Sequence, residues 1–596
     1  MKEAAEINTV AFFRYYIDER HKNMETKYAK SAYRTFLFWG VCSSLGVTVS
    51  TLVDATLVGN FVGSTGLAVA NIATPIFLLY SLMGITLGGG AAVSIGKKLG
   101  AADLKGANRA LGSVLSAGLA LGVLFAVLSL LFRNVLCRFL GATPELLSQA
   151  LQYLTIVFFS APIFVLYHIL SAAVRTDGDP RLAAISSAGV IVTNLSLDLL
   201  FMKVWSWGLV GASASLCIAE TVGSLVLLIH FLKKEALLKF HFHLPTVDEI
   251  REFVGNGFGV GSAFIFQAVV MLVFNTMLLK GNPGNGTFSV AVFSVIYTMS
   301  TIPGAMYDGA GTAASTVISI LGGEKDWKGM LAVYRDGLRI VVAAGILIAL
   351  CFAFGAEGIL AFFGLNDSAA MGTAVTAFRI YAVSVALAGV NVVTTSFWQT
   401  IGKTRYASGL SLLRNFVLML VFGFWLIDKK GIIGLALVYA ISEAVCLLTV
   451  LLAQVFGNIR KYIEEKYKFT NRVYEGYYTI EEGSMEELSD NLNRLCEEWE
   501  LDYKQSFFIS LIVEELLVNI MKYGLNNTGK KYYVSVKVMD NDGEYILRIR
   551  DNVNSYNPFD LRGDEVDRAA MRLIKEKSKY YDYQRKLVFN YLYVTI

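Results

Sequence analysis

The chain has 596 residues, of which 55% are hydrophobic and 17% are charged, and its formal net charge is +4. A soluble domain usually carries about a quarter charged residues, so the composition argues against an ordinary soluble enzyme, and the small net charge gives no indication of a nucleic-acid partner. The charge is also uneven, because residues 36–456 are about 10% charged and residues 457–596 about 32%. We therefore expect a body within the lipid bilayer followed by a tail in water.

The apolar body begins after a polar segment, residues 1–34, that is acidic enough to differ from a secretory signal. About twelve apolar segments follow, each long enough to cross a ~30 Å hydrocarbon layer as a helix. Lys and Arg concentrate in the loops on one side, so the positive-inside rule predicts a multi-pass plasma-membrane protein with both termini in the cytoplasm. The predicted spans run roughly over 35–58, 67–95, 108–132, 147–173, 182–202, 207–232, 255–280, 287–320, 338–363, 374–400, 406–427 and 431–456.

The body repeats itself at an offset near 222 residues. The sequence from Gly208 to Glu220 is echoed from Gly431 to Glu443, and GDPRLA at Gly178 is echoed by GKTRYA at Gly402. This predicts two pseudo-symmetric six-helix lobes, residues 35–240 and 241–456, with a binding site at their interface. The repeat favours a secondary transporter over a channel or an anchor, and the sequence contains no G-x-x-x-x-G-K-[ST] phosphate loop.

Two carboxylates inside predicted spans are the candidates for ion coupling. Asp54 lies in the first span and Asp198 in the fifth, where Asn194 precedes it by one helical turn. A charged group within a membrane helix costs at least ~2.5 kcal/mol and is by default functional. Their oxygens suit Na⁺ as a ligand set, or a carboxylate pair that holds one proton. The alternative is a hydrogen-bonded pair that merely joins two helices.

The repeat predicts that coupling is confined to the first lobe. It aligns Asp54 with Asn275 and projects Asp198 onto a region near Val421 that has no carboxylate. Other polar groups in the spans are weaker candidates. Gln267 and Asp308 are expected to line a substrate cavity, where a carboxylate would attract a lipophilic cation. Glu220 and Glu443 occupy equivalent repeat positions, which favours a shared structural role.

Three stretches of the body resemble the MATE (multidrug and toxic compound extrusion) family. They are TLVDATLVGNFVGSTGLAVANIATP from Thr51, RTDGDPRLA from Arg175 and QTIGKTRYA from Gln399. The resemblance implies a helical membrane protein of twelve helices in two lobes that exports small amphipathic or cationic compounds in exchange for Na⁺ or H⁺, needs no cofactor and is not an enzyme. One branch of the family has an Asp in its first helix and N-x-x-x-D in its fifth. Leu216 stands where that branch often has a Thr, so the choice of ion stays open. A flippase for a lipid-linked or metabolite substrate is the alternative within transport.

The tail is expected to contain a linker, residues 457–482, and a small α/β sandwich domain, residues 483–596. The expected helices lie near 484–499, 504–523 and 567–579, and the expected strands at 531–539, 544–550 and 587–596. It resembles the histidine-kinase-like ATPase fold of anti-sigma-factor serine kinases. The resemblance implies Mg-ATP binding, with Glu515 and Asn519 on one helix at the metal and Asp551 at adenine. Val553 and Ala570 replace expected glycines and would obstruct the nucleotide. We therefore favour a degenerate domain that binds a cytoplasmic regulatory protein. The alternative is a membrane-anchored signalling kinase.

Overall fold

The computed structural model describes residues 26–281, 286–363, 365, 371–469, 471–480, 482–525, 532–541, 543–560, 565–587 and 589–596. The chain divides into two compact units. One unit comprises residues 33–466, and its described part contains helices and connecting loops without a strand, as the apolar composition predicts. The other comprises residues 1–32 and 467–596 and contains a β-sheet. The first 25 residues, most of the predicted N-terminal segment, lie outside the described ranges.

The first half of the helical unit contains eight α-helices. The seventh continues into π-helical turns at Leu199–Val204, and the eighth into a 3₁₀ turn at Ile229–Leu232. The helices are α1 (Lys27–Phe61), α2 (Ser64–Gly100), α3 (Leu104–Leu131), α4 (Arg133–Phe139), α5 (Leu147–Phe159), α6 (Ala161–Thr176), α7 (Pro180–Asp198) and α8 (Gly208–Leu228). The first residues of α1, up to Ala32, belong to the sheet-containing unit, and the rest of the helix belongs to the helical unit.

The second half continues with seven helices and a π-helical turn at Leu413–Val417. Gly431 has φ 55° and ψ −129° within the longest helix and breaks it into two straight parts. The helices are α9 (Val247–Gly281), α10 (Gly286–Gly323), α11 (Trp327–Phe362), α12 (Met371–Thr400), α13 (Thr404–Leu412), α14 (Leu418–Phe456) and α15 (Ile459–Tyr467).

Within the described residues, nine helical segments are long and apolar enough to cross a membrane, and a tenth arises if α5 and α6 form one span bent by 45°. The prediction of a largely helical membrane body is thus confirmed at this level. The segment from Thr404 to Phe456 counts once among the nine, although it is 53 residues long. Helix α1 does not appear among them.

Helix α2 packs closely against α9 and α10, and glycines permit this approach. A Cβ atom added at Gly90 would lie 1.8 Å from the carbonyl oxygen of Phe253, and one added at Gly257 would lie 1.8 Å from that of Thr86. Neither position can therefore hold a side chain unless the backbones move apart. At these two glycines the two halves of the helical unit are in backbone contact.

The other unit is an antiparallel sheet with three helices packed on one face. Its elements are β1 (Val473–Thr479), α16 (Glu482–Glu498), α17 (Tyr503–Gly524), β2 (Tyr533–Asn541), β3 (Glu544–Asp551), α18 (Glu565–Lys577), β4 (Tyr580–Lys586) and β5 (Phe589–Thr595). The strand order is β1-β2-β3-β5-β4. Alternate residues such as Val536, Leu547 and Leu592 face the helices and form the apolar core.

Two features of this unit differ from the sequence-based expectation. The segment expected to be a linker contains α15 and β1, because the tyrosines of VYEGYYT supply the alternating buried face that aliphatic residues usually provide. The strand expected from Leu587 to Ile596 is the second half of a hairpin. Leu587 has φ 50° in the turn, so β4 precedes it.

The second face of the sheet is polar yet buried. Lys537, Arg548 and Arg550 surround the carboxylate of Glu475 at 3.3, 3.1 and 3.8 Å. The first turn of α1 lies on the same face, where the Arg550 guanidinium sits 3.3 Å from the centre of the Tyr28 ring. Burial alone would raise the pKa of Glu475, but the three cations lower it to about 2.

Candidate functional site

The proposed coupling residues come together where α1 approaches the end of α7. Asn194 and Asp198 are one turn apart on α7, and the Asn194 Nδ2 group donates to Asp198 Oδ2 at 3.0 Å. The same nitrogen lies 3.5 Å from Asp54 Oδ1 on α1, at the limit of a hydrogen bond. Asp198 is completely buried and Asn194 is 3% exposed. The amide therefore gathers two carboxylates from different helices at one buried point.

A fourth side chain completes this cluster from α8. The Ser215 hydroxyl donates a hydrogen bond to Asp198 Oδ1. One carboxylate oxygen of Asp198 thus accepts from α8, and the other accepts from Asn194 on α7. Leu216 stands at the position where the resemblance leads one to expect a hydroxyl, and Ser215 directly precedes it. The alternation Ser213–Ala214–Ser215 was the available signal, but only the rotation of α8 shows which hydroxyl faces Asp198.

One oxygen in this cluster is left without a donor. Among the described residues, the buried Oδ1 atom of Asn194 has no hydrogen-bond partner. A buried carbonyl oxygen normally has one, and leaving it without a partner costs about 1–3 kcal/mol. An oxygen of this kind beside two carboxylates is the arrangement that a hard cation or a shared proton satisfies.

The second half carries no equivalent carboxylate pair at the repeat-related positions. Asn275 stands at the place of Asp54, and its buried Oδ1 also has no partner among the described residues. Glu443, a buried acid in a spanning helix of this half, is instead paired with a cation. It accepts from Arg414 Nε at 2.8 Å and from Asn391 Nδ2 at 2.7 Å. Such a fixed ion pair has no need of an added cation.

The weaker cavity candidates are not joined to the carboxylate cluster. Asp308 is exposed although it lies near the middle of α10, between the buried residues Tyr307 and Gly309. Gln267, on α9, is exposed as well. Within the described part of the chain, no hydrogen bond links these two side chains to each other. Both side chains are therefore accessible on their helices.

In the sheet-containing unit, the expected nucleotide residues are engaged within the domain. Asp551 Oδ1 accepts from Asn590 Nδ2 at 2.7 Å and from the Val553 amide at 3.0 Å. Burial raises the pKa of Asp551 to about 6. Asn519 donates to the Glu515 carbonyl at 2.8 Å and accepts from the Tyr556 hydroxyl at 3.3 Å.

The glycine substitution noted in the sequence has a structural counterpart. A Cβ atom at Gly524 would lie 2.4 Å from Val553 Cγ2, so the valine side chain occupies the space above the end of α17. The residues that would hold adenine and magnesium thus have partners inside the domain, and a side chain fills the neighbouring space. Residues 561–564, which precede α18, lie outside the described ranges.

Comparison with known proteins relates the helical unit to membrane transporters. The sequence matches the MatE family over residues 41–200 and 261–425. It is 25% identical over 429 residues to the multidrug export protein MepA of Staphylococcus saprophyticus, covering 71% of this chain and 93% of that protein. It is 23% identical over 410 residues to MepA of Staphylococcus aureus strain MRSA252, covering 67% and 88%.

Solved structures share the fold. One is an outward-facing multidrug resistance MATE transporter of the MOP superfamily, with a TM-score of 0.68, 20% identity, and coverage of 75% of this chain and 98% of that one. Another is a MOP superfamily transporter from Pyrococcus furiosus, described as having a binding pocket of reverse polarity, with a TM-score of 0.67, 21% identity and coverage of 75% and 99%. The chain therefore belongs to the MatE family of membrane transporters and is not an enzyme.

Proposed function

We propose that the protein is a secondary active exporter that expels small amphipathic or cationic compounds in exchange for Na⁺ or H⁺. The observation that carries the proposal is the cluster of Asp54, Asn194, Asp198 and Ser215, in which a buried amide oxygen lacks a donor beside two carboxylates. Binding of a cation or a proton stabilises such a cluster, and this is the property that couples an ion gradient to transport.

The two ions would use the cluster differently. Na⁺ would be held by carboxylate oxygens together with Asn194 Oδ1, while a proton would be shared between the two acids. In both cases the bound ion cancels repulsion between Asp54 and Asp198 and favours closure of α1 on α7. Its release would loosen that contact. The gradient thus acts on the helix that lines one side of the first half.

We also propose twelve spans in two six-helix lobes, residues 35–240 and 241–456. The segment from Thr404 to Phe456 is 53 residues long, about 80 Å as a helix, which is far more than one hydrocarbon layer. The break at Gly431 divides it into two spans of suitable length. With the bent α5–α6 pair and α1 each counted as one, the total is twelve. The basic loops then lie in the cytoplasm with both termini.

For the substrate, the MatE family membership and the two MepA relatives, named as multidrug export proteins, support small-molecule export. Asp308 supports a preference for cations, because it is an exposed carboxylate in the middle of a spanning helix. We assign it to the substrate pathway and keep the coupling cluster for the ion.

The experiment follows ethidium export from inverted vesicles under an imposed Na⁺ or H⁺ gradient. The proposal predicts that one of the gradients drives export and that Asp54→Asn and Asp198→Asn abolish it at normal expression. Glu357→Gln is the matched control, because Glu357 is an exposed acid at the end of α11 with a side chain 72% accessible. Full gradient-driven export by Asp198→Asn would overturn the proposal.

For the sheet-containing unit, we propose a degenerate ATPase-like domain that regulates the exporter by binding a cytoplasmic protein. Support comes from Asp551 and Asn519, whose polar groups have partners within the domain, and from Val553 packed over Gly524. Calorimetric titration of the full-length protein with Mg-ATP tests this. We expect no heat of binding at micromolar nucleotide, and micromolar affinity would favour the kinase alternative.

A further inference from the structure

Helix α8 carries a second acid that the coupling cluster does not use. Glu220 follows Ser215 by five residues, about 7.5 Å along the helix and away from the cluster. Its Oε2 atom is buried, and among the described residues no group hydrogen-bonds to it. A carboxyl group buried within a membrane span costs free energy, so its presence indicates a functional role.

The repeat provides a direct comparison, since Glu220 and Glu443 are equivalent residues. The offset of 223 that aligns Gly208 with Gly431 places them together. Glu443 is held by two nitrogens of Arg414, at 2.8 and 2.7 Å, and by the Asn391 amide at 2.7 Å. Its charge is therefore balanced by a neighbouring helix.

The arginine of this arrangement is missing from the first half. The offset of 224 that aligns Gly178 with Gly402 places Val190 at the position of Arg414 and Tyr167 at that of Asn391. Contacts at Gly223, which lies one turn beyond Glu220 on α8, agree with this alignment. A Cβ atom at Gly223 would lie 2.4 Å from Val190 Cγ2 and 2.9 Å from the Tyr167 ring. A valine thus takes the place of the cation.

From this difference between the halves, we propose that Glu220 is a second proton-binding site, distinct from the Asp54–Asp198 cluster. An ionised Glu220 beside Val190 would pay the desolvation of a buried charge without an adjacent cation. A proton on the carboxyl group removes that cost. The inference rests on the proposed ion-driven export, because it makes export depend on pH even when the cluster itself binds Na⁺.

The groups that face Glu220 are mostly neutral. Helix α6 presents Tyr167, while the neighbouring His168 packs against Gly84 of α2. Arg175 lies two turns farther on and is hydrogen-bonded to Ser171 at 3.0 Å. Helix α7 presents hydroxyls, of which Ser186 donates to the Gly223 carbonyl at 2.8 Å. Helix α8 adds the thiol of Cys217, and α5 approaches that thiol with the Ile156 carbonyl. Arg175 is the one fully basic group of this set, and its guanidinium donates to Ser171 on its own helix.

Protonation here can be communicated to the coupling helix. The Tyr167 hydroxyl lies 3.2 Å from Ser187 Oγ, which lies 2.6 Å from Ser43 Oγ on α1. Ser43 precedes Asp54 by eleven residues on the same helix. Loss of the proton from Glu220 places a negative charge near Tyr167 and so biases the hydroxyl chain that joins α6, α7 and α1.

The direct test is infrared difference spectroscopy of the purified full-length protein during a pH step. Wild type should show the C=O stretch of a protonated carboxylic acid that Glu220→Gln removes. Glu443→Gln should keep this band, because the band is assigned to Glu220 and Glu443 is already paired with Arg414. Val190→Arg gives a second variant in which Glu220 remains but acquires the missing cation, and it should also lose the band. An unchanged band in Glu220→Gln would overturn the proposal.

Vesicle export separates this proposal from the coupling cluster. Glu220→Gln should retain gradient-driven ethidium export but lose at least half of its variation with pH, whereas Asp198→Asn should lose export altogether. Export by Asp198→Asn at the wild-type rate would contradict ion coupling at the Asp54–Asp198 cluster. It would not affect the infrared evidence that Glu220 binds a proton. A wild-type pH profile in Glu220→Gln would contradict the second site alone.

Discussion

The Ser215 hydroxyl donates to Asp198 Oδ1, so α8 fixes the carboxylate from the side opposite the Asn194 amide. This contact ties the coupling acid to a helix that the sequence analysis did not assign to the cluster. It also makes the orientation of the acid depend on the rotation of α8.

Ser215→Ala is expected to weaken binding of the coupling ion about tenfold or more, because a hydrogen bond to a charged group contributes about 1.5–3 kcal/mol. The measurement is the ion concentration that gives half-maximal ethidium export. Ser213→Ala is the matched control on the same helix, since the Ser213 hydroxyl bonds to the Leu209 carbonyl of its own helix. Equal effects of the two substitutions would remove Ser215 from the site.

Asp308→Asn is expected to impair export of cationic substrates and to leave export of neutral ones unchanged. The exposed carboxylate on α10 should attract cationic compounds, so its loss should raise the KM for ethidium several-fold. Export of a neutral amphipathic compound should be unchanged. A similar loss for both compounds would instead indicate a structural role for Asp308.

Gly90→Ala is expected to destabilise the protein by about 1–3 kcal/mol, since the new methyl group would meet the Phe253 carbonyl at 1.8 Å. Thermal unfolding in detergent should detect a lower midpoint together with reduced export. Gly89→Ala is the adjacent control, because a Cβ atom at Gly89 would have no neighbour within 4 Å. An unchanged midpoint in Gly90→Ala would contradict the tight seam between α2 and α9.

Glu475→Gln should lower the stability of the sheet-containing unit in a pH-dependent way. The lowered pKa of Glu475, about 2, means that its ionised form stabilises the fold above the ordinary glutamate value of about 4.5. That contribution is lost as the pH falls from about 4.5 to about 2. Hydrogen exchange of β1 and β2 amides should show a large difference between variant and wild type at pH 6, and the difference should shrink across that window. A constant difference would contradict the ion cluster with Arg548.

Periodicity and charge were sufficient to predict the helical body and the acids that α1 and α7 bring together. They could not identify Ser215, because the choice among neighbouring hydroxyls depends on helix rotation. They also treated Glu220 and Glu443 alike. The repeat aligns the two acids, but the arginine that distinguishes them lies on another helix and becomes relevant only when packing brings it within hydrogen-bond distance.

The tail shows a different limit of sequence reading. Strand β1 has a tyrosine-based alternation that resembles a polar linker, and its role becomes clear only through its pairing with β2. Asn519 and Asp551 were expected to contact a nucleotide, yet their side chains contact Tyr556 and Asn590 of the same domain. Motif spacing is sufficient to select Asn519 and Asp551. It carries no information on Tyr556 and Asn590, which become their neighbours only in the folded domain.

The most direct test of the central claim is ion release on substrate binding by the purified exporter. Ethidium added to wild-type protein in weakly buffered solution should release protons, seen with a pH indicator, or Na⁺, seen with an ion-selective electrode. Asp198→Asn should bind ethidium with less than a tenth of that release, because the buried cluster with Asn194 no longer holds an exchangeable cation. Undiminished release by Asp198→Asn would contradict the account.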